Sequence, residues 1–125
     1  MLSKRGDERM IYSELVARVN VGDTITWKAT DKTHNVEFIK GAIPESAESY
    51  KSKFNVDAEY TFTKPGIYAY KCTAHFTMGM IGFVIVGDDM SNLEQIKAVK
   101  FPGMAKKVAE AAFSEFWFIS MAQFS

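Results

Sequence analysis

Short runs rich in β-branched and aromatic residues, separated by tight-turn signals, fill the first two-thirds of the chain and then give way to helical spacing. The runs cover residues 15–19, 24–29, 36–39, 59–62, 67–72 and 81–86. Between them stand Val21-Gly22-Asp23, Lys64-Pro65-Gly66 and Gly87-Asp88-Asp89. A βαβ pattern would need helices between the strands, so this rhythm predicts an antiparallel sandwich or barrel. Tyr68, Tyr70 and Cys72 alternate with Ile67, Ala69 and Lys71, which predicts one inward face. From Asn92 the period changes: Leu93, Ile96 and Val99 or Lys100 fall at helical spacing, with Ser91 or Asn92 as N-cap. Phe101-Pro102-Gly103 ends that helix, and a second begins near Met104, with Ala105, Val108, Ala109, Ala112 and Phe116 on one face. Residues 40–54 lack strong periodicity and read as a surface loop. The expected class is all-β, a sandwich with two C-terminal α-helices.

At 125 residues and 14.1 kDa, with 47% apolar residues, residues 1–125 are expected to form a single domain, with 1–90 as the sandwich and 91–125 as the helices. Fifteen Lys and Arg balance 15 Asp and Glu, so the broad basic field of a nucleic-acid binder is missing and no nucleic-acid partner is expected. No stretch approaches the roughly 20 apolar residues of a membrane span, and residues 1–10 are polar and charged where a secretory signal would be apolar. One cysteine allows no internal disulfide, which also excludes thioredoxin-type exchange.

The scarce residues gather. Cys72-Thr-Ala-His75-Phe-Thr-Met78-Gly-Met80 leaves one expected strand and enters the next, placing the only Cys, one of two His and two Met within nine positions. With the distant His34, the spacing Cys-x2-His-x4-Met offers a thiolate, two imidazoles and a thioether. Thiolate and thioether are soft ligands that favour Cu(I), imidazole suits both oxidation states, and a weak axial Met tunes the potential. Zinc completes its tetrahedron with Cys, His or carboxylate, so the methionine favours copper. Singly, each residue has an ordinary role: Cys72 as a small buried hydrophobe, a Met as gap filler, His34 at the surface. A cysteine hydrolase built on Cys72 and His75 would need an oxyanion element and an orienting partner, and neither is evident. A copper delivery or storage protein would use the same four residues.

Asp31-Lys-Thr-His34-Asn35-Val-Glu37, followed by Lys71-Cys72-Thr73-Ala74-His75 and Met78-Gly79-Met80-Ile-Gly82, resembles the cupredoxins, and among them the pseudoazurin branch. Gly22-Asp23-Thr24, Lys51-Ser52-Lys53 and Lys64-Pro65-Gly66-Ile67-Tyr68 extend the likeness, which runs from Met1 through the first C-terminal helix. Plastocyanins share the ligand spacing but end soon after the last strand. The resemblance implies an eight-stranded Greek-key sandwich with one type 1 copper held by His34, Cys72, His75 and Met80. It implies a periplasmic, monomeric one-electron carrier rather than an enzyme, donating to a redox partner such as copper nitrite reductase. Asn35 would tie the two ligand loops together, and Met10 would pack near the imidazole of His75. Met78 would join Ala42, Ile43, Pro44 and Ala74 in an apolar patch around His75, ringed by Lys4, Lys32, Lys51 and Lys71 that steer an acidic partner.

The sequence departs from the family pattern at three places. Ala74 stands where members usually carry Pro, which restores an N–H that, aimed at the thiolate, would raise the potential. The match enters the pattern within the family's first strand. The tail 111–124 is unusually aromatic, and Phe113, Phe116, Trp117, Phe118 and Phe124 cannot share one helical stripe. Either some pack on the sandwich and others are exposed, or the tail is a self-association surface or an altered terminus.

Overall fold

The computed structural model describes residues 2–5, 8–11, 15–31 and 33–124, with side chains for 15–31 and 33–119. Strands β1 (Leu2–Arg5) and β2 (Glu8–Ile11) form an antiparallel hairpin. Strand β3 (Val16–Val19) opens a four-stranded sheet in the order β3-β8-β7-β5, completed by β5 (Glu37–Phe38), β7 (Gly66–Lys71) and β8 (Ile81–Val86). Strand β4 (Thr24–Trp27) pairs antiparallel with β6 (Ala58–Thr61) as a separate two-stranded sheet. Helices α1 (Leu93–Lys97) and α2 (Ala105–Phe124) follow, on either side of the expected break at residues 101–103. The all-β class with two C-terminal helices is as expected. Pairing is not wholly antiparallel, because β3 lies parallel to β8 from Val16 opposite Phe83 to Val19 opposite Val86.

The core differs from the single inward face read from parity. Tyr68, Tyr70 and Cys72 of the β7 segment do face the sandwich interior, with Trp27, Phe38, Phe62, Val84 and Val86. Ile67 and Ala69 on the opposite face are equally buried, as are Ile81, Phe83 and Ile85 of β8. The cover is helical: Ile96 of α1 and Ala105, Ala109, Ala112 and Phe116 of α2 pack on that face. The three alanines let α2 lie close to the sheet, and Phe116 meets Phe83 edge-on at 5.4 Å between ring centroids. A sheet covered on both faces needs apolar residues at successive positions, which is how the middle of β7 and all of β8 are composed.

Asn92, expected as an N-cap, occupies that position but makes no capping bond. Its Oδ1 accepts from the Ile67 N–H at 2.9 Å and its Nδ2 donates to the Ile67 carbonyl at 2.9 Å. The side-chain amide thus serves β7 as a neighbouring strand would, beyond the point where two-residue β5 ends. Gln95, one turn on, donates to the carbonyls of Gly41 and Ile43, both at 2.9 Å, and fastens the 40–44 loop beneath α1.

The aromatic tail divides. Phe113 and Phe116 pack inward, whereas Trp117 and Phe118 are 60% and 66% exposed and touch each other at 5.3 Å between centroids. The side chain of Phe124 lies outside the described residues. Among the described residues, no helix is long and apolar enough to cross a membrane.

Candidate metal centre

The register of β7 with β8 builds the site. Lys71 lies opposite Ile81, so the next residues out, Cys72 and Met80, meet at the mouth of the hairpin, where the Cys72 N–H donates to the Met80 carbonyl at 3.0 Å. The connecting loop is tight: the His75 N–H donates to the Cys72 carbonyl at 3.2 Å, and the Met80 N–H to the His75 carbonyl at 3.3 Å. A single 3₁₀ turn, Phe76–Met78, ends at Gly79, whose φ of 91° belongs to the left-handed region that glycine enters without penalty. The start of α2 seats this loop, with the Met104 N–H donating to the Thr77 carbonyl at 2.9 Å.

His34 arrives from the turn before β5. His34, Cys72 and Met80 are fully buried, and His75 is half-buried. His34 Nδ1 lies 3.2 Å from His75 Nδ1, Cys72 Sγ lies 3.4 Å from His75 Nδ1, and Sγ lies 3.9 Å from His34 Nδ1. The point equidistant from these three atoms is about 2 Å from each, the length of an imidazole–metal bond. Two ring nitrogens turned toward each other beside a thiol satisfy one another poorly without a shared proton or cation, so the donor set fits a trigonal copper site. Burial, and after it the neighbouring His75, hold the His34 pKa below its ordinary value. The imidazole is therefore kept in the neutral form that ligates.

The two ligand loops are joined as expected by Asn35. Its Oδ1 accepts from the Thr73 N–H at 2.8 Å, and its Nδ2 donates to Thr73 Oγ1 at 2.9 Å and to the Ser52 carbonyl at 3.3 Å. Thr73 Oγ1 in turn donates to Glu37 Oε1 at 2.8 Å. Asn55, which the sequence reading missed, holds the other side of the His34 turn. Its side chain accepts from the Thr33 N–H, and its own N–H donates to the His34 carbonyl at 3.1 Å.

Several expectations for the surroundings are corrected. Ala42 and Pro44 are buried, and the 42–44 segment lies along β7 toward Gly66, where an added Cβ would sit 2.6 Å from Pro44. Buried in this way, Ala42 and Pro44 are not part of an exposed patch around His75, whereas Ile43 is half-buried. Ala74 and Met78 remain exposed beside half-buried His75 and Phe76. Ala74 occupies the third position of the turn that the His75 N–H closes on the Cys72 carbonyl. Lys71 is not a free steering charge: its Nζ lies 3.9 Å from Glu37 Oε1 and 4.6 Å from the centre of the Phe76 ring. Lys51 is exposed. Lys32 and the side chains of Lys4 and Met10 lie outside the described residues.

Residues 1–87 match the family of copper binding proteins of the plastocyanin/azurin type. A pseudoazurin of Paracoccus pantotrophus is 44% identical over 115 residues, 92% of this chain and 79% of that protein. A putative pseudoazurin of Rhizobium leguminosarum is 42% identical over 115 residues, covering 92% and 76%. The crystal structure of pseudoazurin from Methylobacterium extorquens superposes with a TM-score of 0.88 at 36% identity, covering 92% of this chain and 94% of that one. Its counterpart from Hyphomicrobium denitrificans gives 0.87 at 34% identity, covering 92% and 93%. With this fold, this donor cluster and these likenesses, the chain belongs to the plastocyanin/azurin family of copper-binding electron carriers, in its pseudoazurin group.

Proposed function

We propose that residues 1–125 act as one unit that holds a single type 1 copper through His34 Nδ1, Cys72 Sγ and His75 Nδ1, with Met80 as the weak fourth ligand. The observation that carries this is the convergence of the three donor atoms on one point, with His75 the one of the four proposed ligands that retains exposure. Copper supplies the one-electron Cu(II)/Cu(I) couple. His34, Cys72 and Met80 enclose it in a rigid setting that limits rearrangement between oxidation states, and His75 provides the path to the surface. Burial of three of the four donors favours retention of the metal over hand-over to another protein.

The partner face is the exposed rim of Ala74 and Met78 around His75 and Phe76, with exposed Lys51 set beside β5 by its backbone bridge to Glu37. We assign the partner as an acidic-faced redox enzyme of the copper nitrite reductase type, met as a monomer in the periplasm during denitrification. Stopped-flow mixing of the reduced protein with such a reductase tests this. A second-order rate that falls as salt is raised, and falls further in Lys51→Glu, is expected from charge-steered encounter. A rate indifferent to both would contradict the assignment of the partner surface.

A further inference from the structure

The turn that presents His34 contains a β-branched residue in the left-handed region, Thr33 at φ 73°. Such a conformation persists only where the surroundings over-determine it. Asn55 contributes two of those constraints, running in opposite directions: its side-chain oxygen accepts from the Thr33 N–H, and its backbone N–H donates to the His34 carbonyl at 3.1 Å. Together they bracket the backbone of the two residues from outside. Asn55 itself has φ 66°, a conformation that Asn tolerates better than most residues. The pairing continues inward, where the Val36 N–H donates to Ser52 Oγ and the Ser52 N–H donates to the Val36 carbonyl, both at 2.8 Å. Residues 33–36 are thereby zipped to 52–55, with Asn55 at the open end.

We propose that Asn55 is a positioning residue for the copper site: it holds the Thr33–His34 turn so that Nδ1 of the buried imidazole already faces Cys72 and His75 before the metal arrives. Asn55 is exposed, and both of its hydrogen bonds to the turn go to backbone atoms of Thr33 and His34. The inference rests on the copper reading above. Its ligand-orienting role belongs to the outer contacts whose loss commonly costs 10–100-fold in metal affinity.

Two variants isolate the side chain. Asn55→Gly keeps the left-handed conformation and the backbone donor while removing the acceptor, and Asn55→Asp keeps the acceptor. The full-length protein is measured in two ways: amide hydrogen exchange at Thr33 in the metal-free form, and the rate at which a chelator strips copper from the loaded form. Asn55→Gly is expected to expose the Thr33 amide to exchange and to speed copper loss about tenfold or more, while Asn55→Asp returns both toward wild type. Wild-type exchange at Thr33 in Asn55→Gly, or equal copper loss in Asn55→Gly and wild type, would overturn the proposal. Should the wild-type protein take up no copper, the copper reading falls. The exchange measurement, which needs no metal, would still decide whether Asn55 holds the turn.

Discussion

Asn35 and Thr73 exchange two hydrogen bonds, one from the Thr73 N–H to Oδ1 at 2.8 Å and one from Nδ2 to Oγ1 at 2.9 Å. One residue follows His34 and the other follows Cys72, so this pair is the brace that sets the distance between the two halves of the site. Each bond is buried on one side and geometrically short, and each leaves a polar group stranded when its partner is removed.

Asn35→Ala strands the Thr73 N–H and removes the link to the Ser52 carbonyl. The expected cost is about 1–3 kcal/mol of stability together with roughly 10–100-fold weaker copper binding. Chemical denaturation of the metal-free protein and competition with a chelator measure the two effects separately.

Thr33→Gly is expected to act in the opposite sense. Left-handed geometry costs a β-branched residue about 1–3 kcal/mol, and glycine gives back about 0.5–1 kcal/mol in unfolded-chain entropy. The variant should gain about 1 kcal/mol in the same denaturation experiment, and a loss of stability would show that the turn at Thr33 is not strained.

Gly103 permits the contact that seats the ligand loop on α2. At φ 56°, a Cβ there would lie 2.6 Å from the Thr77 carbonyl oxygen, the atom that accepts from the Met104 N–H. Gly103→Ala should therefore destabilise the protein by about 1–3 kcal/mol and shift the backbone amide resonances of residues 76–79. Unchanged resonances there would mean the helix does not hold the loop.

Tyr68 contributes to alkaline stability. Burial first, with Tyr60 contributing, raises its phenol to about 12 from 10.0, and its hydroxyl donates to the Lys64 carbonyl at 2.8 Å. The folded state holds this proton where the unfolded chain has released it, so the stabilising difference is full below pH 10 and is lost as pH rises from 10 toward 12. The loss is on the order of 2–3 kcal/mol. Tyr68→Phe should flatten the denaturation midpoint over that window, and an equally steep decline in the variant would assign the effect elsewhere.

The strand-and-turn rhythm and the Cys-x2-His-x4-Met spacing were legible because they are local. Once 67–72 and 81–86 are read as hairpin strands, Cys72 and Met80 must meet at its mouth. What escaped was set by distant packing. The alternation of Tyr68 and Tyr70 with Ile67 and Ala69 looks the same whether the second face meets water or a helix; only α2's alanine stripe lying on β8 decides it. Ala42 and Pro44 look like surface apolar residues until Gln95 is seen pinning the carbonyls of their neighbours. Asn55 carries the ordinary composition of a turn, and its role emerges only because residues 52–55 run beside 33–36.

The central claim is that His34, Cys72, His75 and Met80 hold one copper through a thiolate bond. Titration of the metal-free protein with Cu(II), followed by visible absorption beside a Cys72→Ser control, tests it directly. An intense band toward the red end, saturating at one copper per chain and absent from the control, is the predicted result. A protein that folds, binds Cu(II) and stays colourless would contradict it.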